Sequence, residues 1–170
     1  RATNCFFGYN GGYGVSGGYI DNCLFVGNVP DGKNTNGIGI YDPYAARNCT
    51  VVGHPSGGIA LSGLTYSQAA NCLVWSNGNN AITTPATNSF SNAAGIDPMF
   101  LEGTYVPTST DVVDRGATTY ALVPVDYRGS NRVSASGLVD IGAFELQVGD
   151  YPPASGARKK FWWLFSGGVR

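Results

Sequence analysis

Asn4-Cys5-Phe6-Phe7, Asn22-Cys23-Leu24-Phe25, Asn48-Cys49-Thr50-Val51 and Asn71-Cys72-Leu73-Val74 are four copies of one phrase, and they hold every cysteine of the chain. Five residues after each cysteine stands Asn10, Asn28, His54 or Asn77, so the copies agree at both ends. They begin 18, 26 and 23 residues apart, the length of one turn of a β-solenoid. A unit of that size cannot bury its apolar face alone and must stack on its neighbours.

Side chains alternate across a strand. If Cys23 faces in, Leu24 faces out and Phe25 in; the same register puts Cys5, Phe7, Cys49, Val51, Cys72 and Val74 inside. Phe6, Leu24 and Leu73 then form an apolar stripe on the outer wall, interrupted by Thr50. The four cysteines read as a column of small buried thiols, in preference to disulfides. A metal site fits poorly, because there is one histidine and no C-x-x-C pair. Asn4, Asn22, Asn48 and Asn71 fall at one strand end, and Asn10, Asn28, His54 and Asn77 at the other. Stacked amides there can satisfy corner backbone. His54 reads as a substitute in that ladder and not as a catalytic base.

Between the phrases lie Gly17-Gly18-Tyr19-Ile20, Gly37-Ile38-Gly39-Ile40 and Gly57-Gly58-Ile59-Ala60-Leu61, predicted as the second strand of each turn. Val29 to Asn36, Asp42 to Arg47 and Thr65 to Ala70 read as variable loops, where a solenoid normally carries a ligand surface. Tyr19, Tyr41, Tyr44 and Trp75 are the candidate sugar-stacking residues, against the plainer reading that such rings pack on the turn below.

The repeat runs over residues 1–80. Residues 81–145 hold most of the acidic side chains and are expected to form an irregular cap of the same domain that closes the open edge of the stack. Residues 146–170 divide into a Pro/Gly linker and a tail, Arg158-Lys159-Lys160 followed by Phe161-Trp162-Trp163-Leu164-Phe165. That apolar segment is expected to dock on the outer stripe of its own or a neighbouring solenoid and so to support self-assembly, a homo-oligomer or a filament.

Charged residues make up only 12% of the 170-residue chain and glycines number 25, which suits a secreted or cell-surface β protein. A net charge of −1 offers no basic footprint for nucleic acid. No apolar run is long enough to cross a bilayer. Arg1-Ala2-Thr3 leads straight into the first repeat, so the chain reads as a processed product or a piece to which further rungs belong.

Asn48-Cys-Thr-Val-Val-Gly-His54, Gly57-Gly-Ile59, Asp97-Pro-Met-Phe100, Asp114-Arg-Gly116, Asp126-Tyr-Arg-Gly129, Arg132 and Asp140-Ile-Gly-Ala-Phe-Glu145 resemble the right-handed parallel β-helix proteins of the pectin-lyase-like superfamily, in the branch found on large bacterial secreted and surface proteins. The resemblance spans residues 1 to 145 and implies an all-β, right-handed solenoid of about four rungs. It implies little about chemistry, since the superfamily includes lyases, polygalacturonases, adhesins and structural modules. Glycosidic cleavage needs paired carboxylates. Asp21, Asp31 and Asp42 occupy different registers on the rungs, so no catalytic residues are assigned. Asp114, Asp126, Asp140 and Glu145, with Arg115, Arg128 and Arg132, read as structural pairs, with a calcium site as the lesser alternative. No other cofactor is expected. The leading expectation is therefore a non-enzymatic extracellular structural or interaction module. A carbohydrate-binding surface or the remnant of a polysaccharide lyase or hydrolase is the alternative.

Overall fold

A computed structural model describes residues 1–29, 37–61, 68–79, 82–83 and 93–150. Each rung contributes three short strands. The first holds β1 (Ala2–Thr3), β2 (Phe6–Gly8) and β3 (Val15–Ser16), the second β4 (Tyr19–Asp21), β5 (Leu24–Val26) and β6 (Ile38–Tyr41). The third holds β7 (Ala45–Arg47), β8 (Thr50–Val52) and β9 (Gly57–Ala60), the fourth β10 (Ala69–Ala70), β11 (Leu73–Trp75) and β12 (Ile82–Thr83), and β13 (Ala93–Ala94) follows. Like strands stack in parallel into three sheets, ordered β1-β4-β7-β10, β13-β11-β8-β5-β2 and β12-β9-β6-β3. The protein is an all-β parallel solenoid, and no α-helix occurs among the described residues.

The cysteine phrases supply the second sheet, in the register Phe6↔Leu24↔Thr50↔Leu73 and Phe7↔Phe25↔Val51↔Val74. Inside lie Cys23, Phe25, Cys49, Val51, Cys72 and Val74, packed against Ile20, Ile40 and Ile59 from the other two sheets. Phe7 stacks on Phe25 with ring centroids 4.8 Å apart. Each three-residue strand of this sheet is bracketed by left-handed corners. Asn4, Asn22, Asn48 and Asn71 have φ of 54°, 59°, 51° and 50° on the entry side. Tyr9, Gly27, Gly53 and Ser76 have φ of 57°, 56°, 75° and 54° on the exit side. Asparagine tolerates that backbone region better than most residues, which is why it precedes every cysteine.

Two expectations change. Gly17-Gly18-Tyr19-Ile20 is not equivalent to Gly37-Ile38-Gly39-Ile40: Ile40 pairs with Val15 and Ile59 in the third sheet, whereas Ile20 pairs with Ala46 in the first. Asp42 to Arg47 is not wholly a loop either, because Ala45–Arg47 is a strand and Ala69–Ala70 continues it in the next rung. The loop residues 30–36 and 62–67 lie outside the described residues.

The segment after residue 97 lies along the outer wall of the second sheet. Leu24 and Val26 are buried beneath Val106, Ala143 and Phe144, and Leu73 beneath Val112 and Ile141. Thr50, the polar interruption, accepts the Ala143 N–H on Oγ1 at 2.9 Å. The outward stripe is thus covered by residues 100–146 over Leu24 and Leu73, and not left free for the tail. Phe6 alone stays half-exposed, at 50%.

Candidate functional site

Three groups of side chains carry the polar chemistry of the molecule. The first is the ladder at the exit corner. The Asn10 N–H donates to Asn28 Oδ1 at 2.9 Å, the Asn28 N–H to His54 Nδ1 at 3.0 Å, and the His54 N–H to Asn77 Oδ1 at 2.8 Å. His54 performs the same task as its asparagine equivalents, with a ring nitrogen in place of an amide oxygen. Its side chain is fully buried and Nε2 has no hydrogen-bond partner. Burial pushes the imidazole down to about 4, against a weaker opposing influence of the Phe25 and Asn28 backbone. The Asn28 N–H itself requires a lone pair on Nδ1, so the ladder is built for the neutral ring.

At the entry corner the thiols carry the regularity. Cys5, Cys23, Cys49 and Cys72 each point Sγ at the carbonyl two residues earlier, at 3.3, 3.2, 3.3 and 3.4 Å. All four are free. A weak S–H donor thus adds to the last carbonyl of the first-sheet strand, which at Asp21, Arg47 and Ala70 also accepts the asparagine N–H of the rung before, without bringing in a hydroxyl to be desolvated. Burial pushes the Cys23 thiol up to about 12 and raises Cys49 well above the ordinary range.

The second group is the acidic cluster of the covering segment. Asp126 Oδ1 accepts the Arg128 and Ser130 N–H groups, both at 2.8 Å. Its Oδ2 accepts the Glu145 N–H at 3.0 Å and Arg128 Nε at 3.3 Å. Asp140 accepts the Asp114 N–H at 2.7 Å on Oδ1 and the Leu146 N–H at 2.6 Å on Oδ2. The Asp140 N–H is shared by Glu145 Oε1 and Oε2, at 2.6 and 3.2 Å. Burial, reinforced by the nearby Asp140 carboxylate, pushes the Glu145 carboxyl up to about 8. Arg132, buried under this cluster, donates to the Gly142 and Ala143 carbonyls at 2.9 Å each and to Asn22 Oδ1.

That last contact divides the entry-corner asparagines. Asn22 Nδ2 donates to Asn4 Oδ1 at 2.5 Å and Asn71 Nδ2 to Asn48 Oδ1 at 3.0 Å. Between the two pairs, Arg132 takes the Asn22 oxygen, and Asn48 Nδ2 turns outward to the Tyr120 carbonyl at 2.8 Å. Asn71 makes a matched pair with Ala117, donating at 2.9 Å and accepting at 2.8 Å. The asparagines therefore hold the covering segment as well as one another. The repeat showed a ladder; the partners are 46 to 110 residues distant in sequence and left no local signal.

The third group is a shallow cleft on the first sheet, lined by Tyr19, Tyr44, Ala45, Arg47 and Gln68. The rings of Tyr19 and Tyr44 meet at 5.6 Å and 58°, and both are about half-exposed. The Arg47 guanidinium sits 6.0 Å from the Tyr19 ring centre and pairs with the buried Asp21 at 2.7 Å, which also holds Arg1 at 2.9 Å. Of the four candidate stacking residues, Tyr19 and Tyr44 come together here. Tyr41 stacks instead on Tyr13, with centroids 4.6 Å apart, and Trp75 ends β11 without lining the cleft. Phe161, Trp162, Trp163, Leu164 and Phe165 lie outside the described residues.

No group of three or more His, Cys, Asp or Glu side chains placed to hold a metal ion occurs among the described residues, and none of their helices is long and apolar enough to cross a membrane. Compared with protein-family models, with characterised proteins and with solved structures, the chain shows no match. The class defined by fold and side chains is a parallel β-solenoid with a segment of its own chain packed along one wall.

Proposed function

We propose that this protein is a non-enzymatic structural and interaction module of the cell surface or extracellular space, related to the pectin-lyase-like β-helices that its Asn-Cys rungs and Asp140-Ile-Gly-Ala-Phe-Glu145 resemble. One observation supports it above the rest. Each of the six oxygens of Asp126, Asp140 and Glu145 already accepts an N–H of the chain, and all three side chains are buried. Acid–base chemistry on a glycosidic bond needs a carboxyl free to reach its substrate. These groups are committed to holding the covering segment. The role of contact segment falls to Phe161–Phe165. The test is incubation of the full chain with a panel of neutral and uronate-containing polysaccharides, reading reducing ends and unsaturated products. No cleavage is expected. Turnover that Asp126→Asn abolishes while the far-ultraviolet dichroism is kept would overturn the reading.

A carbohydrate-binding role is the second reading, favoured by the Tyr19–Tyr44 pair beside Arg47 and Gln68. Two half-exposed aromatic faces next to an amide and a guanidinium suit the apolar face and hydroxyls of a sugar ring. Affinity gel electrophoresis in the same polysaccharides, with Tyr19→Ala/Tyr44→Ala beside the parent chain, checks it. Retardation that is unchanged in the variant, or absent from the parent, removes this reading.

A further inference from the structure

The covering segment leaves one place on the second-sheet wall unfilled. It buries Leu24 and Leu73 but stops short of Phe6, the neighbour of Leu24 on the terminal strand β2. Phe6 is 50% exposed and Tyr9, 6.5 Å from it, 64%. Val29, bridged to Gly11 two residues after Tyr9, is 48% exposed. Large apolar side chains grouped on an exposed face are a contact surface or a liability.

The exit of the covering segment indicates what fills it. Arg128 grips both oxygens of Asp150, at 2.8 and 2.9 Å, and lies over the Phe144 ring at 5.9 Å. Phe144 belongs to the cluster that buries Leu24, and Leu24 is one strand from Phe6. The chain therefore leaves Asp150 tied, through Arg128 and Phe144, to the cluster that covers the strand next to Phe6. Ten residues, 151–160, separate that point from Phe161, enough for roughly 33 Å of extended chain. Neighbouring strands are only about 4.8 Å apart, so reach is not limiting. The tether also holds the segment at a high effective concentration, which favours its own solenoid over another molecule.

We infer that Phe161–Phe165 of the same chain docks on the Phe6–Tyr9 patch, completing the cover of the second-sheet wall over its terminal strand. The inference rests on the reading of that segment as a contact element and adds the site and the molecule on which it acts.

The test uses the full chain with Trp75→Phe, so that emission reports Trp162 and Trp163 alone. Blue-shifted emission, shielded from acrylamide and independent of protein concentration, is expected; adding Phe6→Ser/Tyr9→Ser should shift it to the red. Because that pair of changes can disturb the first rung, Trp162→Ser/Trp163→Ser serves as the second arm. It leaves the sequence of the first rung unchanged and should raise the binding of an apolar dye by exposing Phe6 and Tyr9. Shielding that appears only as concentration rises would overturn docking on the same chain while leaving a contact segment between copies. Exposed tryptophans at every concentration would overturn both.

Discussion

The backbone N–H of Asn28 donates to Nδ1 of His54 across one rung at 3.0 Å, in a fully buried corner. Protonating that nitrogen removes the acceptor and places a charge where Nε2 has no partner. The imidazole accordingly titrates at about 4 in the fold, against about 6.5 unfolded. The unfolded chain therefore binds the proton first, and the stability this neutral histidine represents is present above pH 6.5 and lost as pH falls to 4. The loss from this one group is at most about 3 kcal/mol. His54→Asn should keep the ladder and abolish that loss, as read from urea midpoints at pH 7 and pH 4.

Glu145 has the opposite sign. Its folded value of about 8 exceeds the ordinary 4.3 of a free glutamate, so the folded state holds the proton longer. The contribution is complete below pH 4.3 and declines as pH rises through 8. Between about 4.3 and 6.5 the two residues oppose each other, and the parent chain should show a shallow pH dependence there. Glu145→Gln should expose the His54 slope in acid and resist unfolding at pH 9 better than the parent. A parent curve unchanged by either substitution would show that neither group is linked to folding.

The second sheet was legible because its signal repeats. Four Asn-Cys phrases with alternating apolar residues leave one register, and three-residue strands at that spacing admit one way of stacking. The first sheet was not, because Ala45-Ala46 and Ala69-Ala70 carry little preference for strands and two residues show no period. Leu24 and Leu73 announced that something covers the outer wall. What covers it was hidden, since the Thr50–Ala143 bond joins residues 93 apart. The cleft was half legible: tyrosines near corners were visible, but only the register Tyr19↔Ala45 brings Tyr19 beside Tyr44 and leaves Tyr41 and Trp75 elsewhere.

The cysteine column should be chemically silent in the fold. Cys23, Cys49 and Cys72 are fully buried and Cys5 partly so, and alkylation needs a thiol that the reagent can reach. Iodoacetamide at pH 8 should modify at most Cys5 in the native chain and all four thiols after denaturation without reductant, counted by intact mass. Cys49→Ala should cost about 1–2 kcal/mol through the vacated space and the lost donor to the Arg47 carbonyl.

Arg132 is the residue whose loss should be felt most. Its guanidinium joins Asn22 on the solenoid to the Gly142 and Ala143 carbonyls of the covering segment, and its side chain is fully buried. Arg132→Met keeps much of the volume but leaves the Gly142 carbonyl and Asn22 Oδ1 unpaired, the Ala143 carbonyl with only the Tyr127 N–H at 2.8 Å, and the carboxylates without their buried cation. Removing one partner of such a network costs about 3–5 kcal/mol. Asn22→Ala leaves the arginine its two carbonyls but also removes the Nδ2 donor to Asn4 Oδ1 and the Val125 carbonyl and puts alanine at φ 59°, so it should also destabilise. If the contact couples solenoid to segment, the double variant should lose less than the sum of the single changes. Additive losses in urea denaturation would mean that Arg132 serves the segment alone, and that the covering wall is held by Leu24, Leu73 and the Asn48 and Asn71 hydrogen bonds.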